Sequence, residues 1–528
     1  MEKLELNESL KPVEGPVVKR ALVIGAGISG IQAALDIAGQ GYEVVLVESD
    51  PAIGGHMAQL SETFPTLDCS QCIMTPKMVE VSKSDNIRLL AYSEVKNIEG
   101  SVGQFKVTIE RKPRYVQIEK CTACGNCSQK CPVKVKSELN EGLADRKAIY
   151  IPSPQSVPAC YTIDAERCLK LTKDKCGLCE KVCEAGAVDY KMEPEIIEVE
   201  VGAIVVATGY DLFPVAEIGE YGYGKYPDVL HGLQFERLLS ASGPTSGNVR
   251  RPSDGKVPKE VVFLSCIGSR DQENAYPYCS RICCMYTAKH AMLYQHNVHD
   301  GQAYVFYMDI RSGGKGYEEF VQRGMEEDGT IYLRGRVSKV FQRGDKLVVW
   351  GADTLTNRKV EIEADMVVLA TAIMPRKGIK ELAQLLKIDL NEHGFINEAH
   401  SKLRPVESLS QGIFLCGCAQ APKDIPDSVS QAGAAAAKVG ELLSREKLEQ
   451  EPIIVGADSD LCCGCTMCIS VCPYNARVLD PEERKAVVNE ALCKNCGSCV
   501  ASCPTGAAQQ CNHTDDQVMS KVKVLIED

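Results

Sequence analysis

Two tandem cysteine runs near the C-terminus constrain this chain more than any other feature of it. Cys462-x-x-Cys465-x-x-Cys468-x-x-x-Cys472-Pro473 is followed by Cys493-x-x-Cys496-x-x-Cys499-x-x-x-Cys503-Pro504. A loop this tight wraps three thiolates around one [4Fe–4S] cubane, and the fourth cysteine reaches a neighbouring cubane. The spacing therefore predicts one cluster on Cys462, Cys465, Cys468 and Cys503, and a second on Cys493, Cys496, Cys499 and Cys472. Zinc is the alternative guest for grouped thiolates, and two such runs in tandem speak against it.

A second block, residues 116–192, repeats the plan of bacterial ferredoxins. Cys121, Cys124 and Cys127 with Cys183 are expected to hold one cluster. Cys168, Cys176, Cys179 and Cys131 are expected to hold another. The gap from Cys168 to Cys176 is longer than its C-terminal counterpart, and Cys183 lacks the following proline. The chain thus carries an internal duplication.

The compartment follows from what surrounds these cysteines. The first apolar run, Ala21–Gly30, lies behind a charged tail and opens a glycine loop, unlike a signal peptide. No run of about 18 apolar residues exists to span a membrane. Without secretion, 27 cysteines in 528 residues point to metal binding in the cytoplasm and not to a disulfide framework. A net charge of −12 speaks against nucleic acid as a partner.

Lys19–Glu48 reads as strand, glycine turn, helix and strand. Gly25, Gly27 and Gly30 form G-x-G-x-x-G before a helix expected over residues 31–40. Such a turn lets a pyrophosphate approach free N–H groups at a helix N-terminus. Glu48, at the end of the next strand, is placed to accept from a ribose hydroxyl. Three further segments resemble two-dinucleotide-fold flavoproteins: Gly54-Gly55, Ala207-Thr208-Gly209, and the strand and loop Ile413–Gly417 before an Ala-rich helix. They make FAD the expected dinucleotide. Such loops carry Gly-Asp, with the aspartate on the ribityl chain. Here Cys418 follows Gly417, and Asp424 is taken as the substitute.

A second α/β segment opens at Val261–Gly268. In a thioredoxin-reductase-like protein it would lead into a second glycine motif for NAD(P)H. Cys266 stands there instead, followed by Cys279, Cys283 and Cys284. Buried structural thiols are the alternative. The preferred reading is an irregularly spaced [4Fe–4S] site in place of the nicotinamide donor.

That constellation resembles the flavin-bearing A subunit of heterodisulfide reductase. So do Asp68-Cys69-Ser-Gln-Cys72-Ile-Met-Thr-Pro-Lys77-Met, Asn140–Tyr150 and Cys418–Asp427. The likeness runs from about residue 19 to nearly the end, as in a short form without an extra N-terminal domain. It implies an oxidoreductase that bifurcates or confurcates electrons from one FAD. A two-electron donor would supply ferredoxin and a second acceptor. The implied partners are other subunits of such a complex, ferredoxin, and a hydrogenase, formate dehydrogenase or NADH-oxidising module. A homodimer is compatible with it. Lys289 is implied to reach flavin N5, with a solvated surface lysine as the alternative.

The expected fold is α/β, a thioredoxin-reductase-like two-dinucleotide flavoprotein with one inserted and one C-terminal bicluster ferredoxin domain. The expected divisions are a disordered polar tail (1–18), FAD domain (19–115, 193–259 and 366–448), inserted module (116–192), second α/β domain (260–365) and C-terminal module (449–528). Five cubanes predict about 20 iron atoms per FAD, or about 24 if Cys69 and Cys72 join a sixth cluster. A redox pair and a structural role are the other readings of Cys69-x-x-Cys72. Cys416 is read as a cluster partner or as lining of the flavin pocket. Cys160, Cys463 and Cys511 are read as structural, and His513 with Asp515 and Asp516 as part of a terminal helix. Two competing functions stand beside the first. One is a non-bifurcating relay in a quinone- or acyl-CoA-reductase-linked complex. The other is a stand-alone NAD(P)H-dependent ferredoxin or disulfide reductase, which the missing second glycine motif disfavours.

Overall fold

The computed structural model describes residues 13–450, 455–474, 476–488, 493, 495–510, 518–520, 522–523 and 526. Cys511, His513, Asp515, Asp516 and residues 1–12 of the expected tail lie outside them. Two parallel five-stranded sheets organise the rest.

The first sheet runs Ile413–Leu415, Ala203–Val206, Arg20–Ile24, Glu43–Glu48, Ile87–Ala91, with every neighbour parallel. Its strands are near-continuous apolar runs because both faces are covered. Alternation along Arg20–Ile24 decides what covers each face. Ala21 and Val23 pack under helices Ile28–Gly39 and Ile425–Ser444, through Ile31, Ala34, Ile37, Ala432, Ala435 and Val439. Leu22 and Ile24 face Val107, Ile109, Val199 and Val201 of an antiparallel meander, Ser93–Ser101, Gln104–Arg111 and Glu195–Val201. Each such buried Val, Leu or Ile is worth about 1.5–3 kcal/mol against exposure.

The second sheet repeats the architecture. Its order is Val229–His231, Met366–Thr371, Glu260–Ile267, Gln302–Tyr307, Ile331–Arg334, again all parallel. Val261 and Phe263 pack against Phe235, Leu238, Ala291 and Tyr294 of helices Gly232–Leu239 and Cys283–Asn297. Val262 and Leu264 face Val349 and Ala364 of a second meander, Val337–Arg343, Lys346–Asp353 and Arg358–Ala364.

Strand pairing moves two of the expected divisions. Val229–His231 and Met366–Thr371 were expected in the FAD domain, and both belong to the second sheet. A fully buried parallel strand looks the same in sequence whichever sheet it enters, so composition could not separate them. The tail also ends earlier than expected. Val13–Pro16, expected in the polar tail, forms a strand that pairs antiparallel with Lys447–Gln450. The first helix begins at Ile28, not at residue 31, so the last glycine of the turn lies inside it.

The inserted module leaves the first meander after Arg111 and returns at Glu195, and these two residues are direct ladder partners. The C-terminal module consists of two small antiparallel pairs, Val455–Ala457 with Ala508–Gln510 and Arg477–Leu479 with Ala486–Val488. Short helices Met467–Ser470 and Ser498–Ala501 complete it. Among the described residues no helix is long and apolar enough to cross a membrane.

Candidate flavin and iron–sulfur site

A cavity of about 1110 Å3 opens at the C-terminal end of the first sheet and is walled by both sheets and by the inserted module. Ligands gather at this end of a parallel sheet because loops and helix N-termini converge there. Gly25 has φ +99°, and a Cβ on it would stand 2.4 Å from the Ala207 carbonyl oxygen. A Cβ on Gly30 would stand 1.8 Å from the Gly25 oxygen. These two glycines are required by the chain's own packing. At Gly27 a Cβ would meet nothing within 4 Å, so there the space belongs to whatever enters the cavity. The glycine turn thus leaves an open cradle at the N-terminus of helix Ile28–Gly39, as a pyrophosphate requires.

Other features fit a dinucleotide. Thr208 Oγ1 is buried without a partner, and Thr208 and Gly209 line the cavity. Glu48 lines it too, but its oxygens already accept from Ala26 N–H at 2.7 Å, Asp50 N–H at 3.0 Å and the Ser49 hydroxyl at 3.1 Å. Burial, then the charge of Asp50, pushes the Glu48 carboxyl up. Gly55 lines the cavity beside Gly27, and Gly54 N–H donates to Ala26 O at 2.8 Å. Cys418 and Asp424 line the far side. Asp424 caps helix Ile425–Ser444 through Asp427 N–H at 2.8 Å and accepts from Tyr317 OH at 2.7 Å. Gly417 sits on the same loop and is buried.

Lys289 is not a surface lysine. It is 2% exposed and donates to Glu236 Oε1 at 2.8 Å, Glu236 Oε2 at 2.7 Å and Glu62 O at 2.8 Å. His290 completes the cluster through a short contact to Glu236. All three line the cavity. Burial pushes the Glu236 carboxyl up, but the charges of Lys289 and His290 outweigh it and hold it down at about 2. The ion pair is therefore intact at neutral pH.

The helix bearing Lys289 begins with Cys283 and Cys284. Ile282, Tyr286, Lys289 and His290 face the flavin cavity while the cysteines sit at its N-terminal end. The Cys283 sulfur lies against those of Cys266 and Cys284. Cys266 ends the central strand of the second sheet at φ +62°, where the register slips between Leu264 and Ile267. Positive φ costs a non-glycine residue about 1–3 kcal/mol and persists only where the surrounding structure holds it. The Arg270 guanidinium faces both Cys266 and Cys279 while pairing with Asp309. Arg281 N–H donates to the Cys279 sulfur at 3.3 Å. Cys266, Cys283 and Cys284 thus lie together, and Cys279 joins them through the Arg270 guanidinium that it shares with Cys266.

In the inserted module Cys121, Cys127, Cys131, Cys168, Cys179 and Cys183 share one core with Val116, Ile149, Ile163 and Val188. The Cys127 thiol, pushed up to about 12 chiefly by burial, also feels Cys121, Cys179 and Cys124. Cys124 and Cys176 are exposed. Tyr190 OH lies 2.8 Å from the Cys179 sulfur. In the C-terminal module Cys462, Cys465, Cys468 and Cys503 line one small cavity. Cys493 and Cys499 join Cys462 and Cys468 in the core there. Backbone N–H groups aim at the sulfurs: Ala187 at Cys183, Ala476 at Cys472, Ala486 at Cys462 and Ala508 at Cys503, at 3.3–3.4 Å. Burial raises the Cys503 thiol, but hydrogen bonds from Ala508, Thr505 and Ala507 bring it down to about 7, favouring the ligating thiolate. Cys496 is exposed.

Several residues carry the site that sequence reasoning did not name. Lys423 is buried and donates to Gly417 O at 2.8 Å and Gln420 Oε1 at 2.8 Å. Glu236 and His290 stand in ordinary helices. Asn140–Tyr150 proves to be a seam: Gln59 Nε2 donates to Glu141 Oε1 at 2.7 Å, and Arg237 Nε to Asn140 Oδ1 at 3.0 Å. Lys423 lies inside the Cys418–Asp427 segment, and nothing in the local sequence marks Glu236. Of the remaining cysteines, Cys416 is buried, and Cys160 is buried against Cys121. Cys463 is exposed, and so are Cys69 and Cys72, whose sulfurs are 2.7 Å apart at a helix N-terminus.

Two parallel sheets, an open glycine cradle and clustered thiols define a two-dinucleotide-fold oxidoreductase with FAD and iron–sulfur centres. Family models agree: "FAD dependent oxidoreductase" matches residues 21–95 and "4Fe-4S dicluster domain" residues 461–507. The A subunit of the H(2):CoB-CoM heterodisulfide,ferredoxin reductase of Methanothermobacter marburgensis is 48% identical over 525 residues, covering 99% of this chain and 79% of that protein. The A subunit of the H(2)/formate:CoB-CoM heterodisulfide,ferredoxin reductase of Methanococcus maripaludis is 45% identical, covering 99% and 80%. A crystal structure of T. acidophilum thioredoxin reductase overlaps 80% of this chain and 99% of its own at 13% identity, with a TM-score of 0.45. The chain belongs to the family of heterodisulfide reductase A subunits.

Proposed function

We propose that this protein is the flavin subunit that bifurcates, or in reverse confurcates, electrons in a heterodisulfide-reductase-like complex of the cytoplasm. One observation carries the reading. The helix that offers Tyr286, Lys289 and His290 to the flavin cavity begins with Cys283 and Cys284, where a nicotinamide would otherwise dock. FAD in the cavity exchanges an electron pair with a two-electron donor, and [4Fe–4S] clusters carry electrons singly.

The protein's own residues then set direction. Gly25, Gly27, Gly30, Glu48, Gly54, Gly55, Thr208, Gly209, Gly417, Cys418 and Asp424 hold the dinucleotide. Lys289, paired with Glu236, presents a fixed cation at flavin N5. Cys266, Cys279, Cys283 and Cys284 hold the cluster beside the ring. The two ferredoxin modules hold four more, making five cubanes and about 20 iron atoms per FAD. Cys69 and Cys72, exposed and side by side, supply half of a sixth that other cysteines or a neighbouring protein of the complex would complete. The partners are the complex's other subunits, ferredoxin as one acceptor, and a hydrogenase, formate dehydrogenase or NADH-oxidising module as donor. The names of the relatives, which include hydrogen, formate and ferredoxin, support this.

Measuring the two one-electron potentials of the bound flavin tests the proposal. Strongly crossed potentials, the second electron leaving at a much lower potential than the first, are expected. Uncrossed potentials would return the protein to a simple relay.

A further inference from the structure

The two ferredoxin modules share a plan but differ in what fills the space between their cysteines. The inserted module is packed with Val116, Ile149, Ile163 and Val188. Among its described residues no cationic side chain is hydrogen-bonded to a cysteine sulfur: the buried Arg114 donates to Thr162 Oγ1 and Pro51 O, Lys147 donates to the Cys131 carbonyl at 2.7 Å, and the side chain at a sulfur is Tyr190 OH at Cys179. Its residue five places beyond the last cysteine of the first run is Lys136, which points outward and pairs with Asp145.

In the C-terminal module the corresponding residue, five beyond Cys472, is Arg477, and it points inward. Arg477 is 3% exposed. Its Nη2 donates to Gly456 O at 3.0 Å and lies 3.5 Å from the Cys499 sulfur. It lines the small cavity with Cys462, Cys465, Cys468 and Cys503. Its Nη1 is buried with no hydrogen-bond partner. Among the described residues no carboxylate pairs with it. The guanidinium therefore touches the ligand sets of both expected clusters.

A buried guanidinium cannot shed its proton, and an uncompensated one costs several kcal/mol. Something anionic must stand beside it. A cubane with four thiolates carries net negative charge and gains one more negative charge on reduction. A cation held between two of them in a low-dielectric interior favours the reduced form of each.

We infer that Arg477 is a redox-positioning residue, a fixed cation shared by the two C-terminal clusters that lifts their reduction potentials above those of the inserted module. The inference rests on the cluster assignment proposed above. It adds an internal direction, with the C-terminal module as the easier to reduce.

Anaerobic redox titration of the intact holoprotein followed by EPR tests it. Signals altered in Cys496→Ser mark the C-terminal clusters. In the unmodified protein they should appear at higher potential than the inserted-module signals, and the reverse order overturns the inference whatever any variant does. In Arg477→Gln and Arg477→Met the marked signals should shift to lower potential while the others stay. Arg477→Lys should titrate near the unmodified protein. Unshifted signals in either neutral variant with full iron content also overturn it. A C-terminal module that binds no iron in the unmodified protein would defeat the cluster assignment itself, a separate result read by iron analysis.

Discussion

The two sheet domains are built to one plan and finished differently. Each has five parallel strands, a meander on one face and helices on the other. After the central strand Arg20–Ile24 the chain takes only residues 25–27 to reach its helix, and it spends them on glycine and alanine. After Glu260–Ile267 it takes residues 268–282, and the helix then opens with Cys283-Cys284. A short glycine turn leaves backbone N–H groups free for phosphate. A long loop carrying thiols takes the same position in the second domain, where we propose metal ligands. The fold thus fixes where a redox group docks, and a few residues at one strand end decide which group it is.

The largest expected effect breaks the second half of that comparison. Cys283→Ser should lower the iron content by about 4 atoms per chain and leave flavin content unchanged. Bleaching of the flavin by NAD(P)H in the isolated, unmodified protein would show that the second domain still takes a nicotinamide. The first half can be broken at two glycines with opposite signatures. Gly27→Val fills the open cradle, so flavin affinity should fall by at least about 100-fold with little change in Tm. Gly25→Ala drives a methyl into Ala207 and demands φ +99°, so it should destabilise the fold by about 2–4 kcal/mol. Equal loss of Tm in both variants would mean that the cradle is structural.

Lys289→Met sharpens the contact between the domains. It leaves Glu236 buried without its ammonium partner and should cost about 3 kcal/mol in thermal unfolding. Lys289→Met/Glu236→Gln should recover most of that stability while the flavin's one-electron potentials stay shifted. Recovery of both would make the pair purely structural.

The smallest effect is read by pH. His231 ends an edge strand of the second sheet and caps helix Gly232–Leu239 through Gln234 N–H at 3.3 Å. Burial lowers its imidazole from 6.5 to about 4. The unfolded chain takes up this proton near 6.5 and the folded protein only near 4. Its contribution is therefore full above 6.5 and falls as pH drops through that window, by up to about 3 kcal/mol. His231→Asn, which keeps a capping oxygen, should flatten that slope in thermal unfolding between pH 7 and 4.5. An unchanged slope would place the titrating group elsewhere.

Much of this was legible in sequence because it depends on spacing. Three thiolates in C-x2-C-x2-C can wrap one cubane wherever the run occurs, and Gly25-x-Gly27-x-x-Gly30 is a local turn. The curated relatives and the strand order agree with the fold and family read from those motifs. What escaped depends on contacts between distant segments. Met366–Thr371 is apolar enough for either sheet, and only pairing with Glu260–Ile267 assigns it. Lys289 was singled out by the resemblance, but its buried partner Glu236, from another helix, was not. Arg477 looks like any strand arginine until the two cysteine runs close around it.

The way the inserted module is joined has a practical consequence. Arg111 and Glu195 face each other across one antiparallel ladder and are joined by an ion pair at 3.1 Å. The chain was opened at a point where its two ends are already neighbours. Residues 112–194 can in principle be replaced by a short hairpin turn without asking any strand to move. The flavin fold beneath would lose one wall of its cavity but keep its scaffold. Large accretions enter enzymes at such seams, and a reduced version of this protein could be cut there.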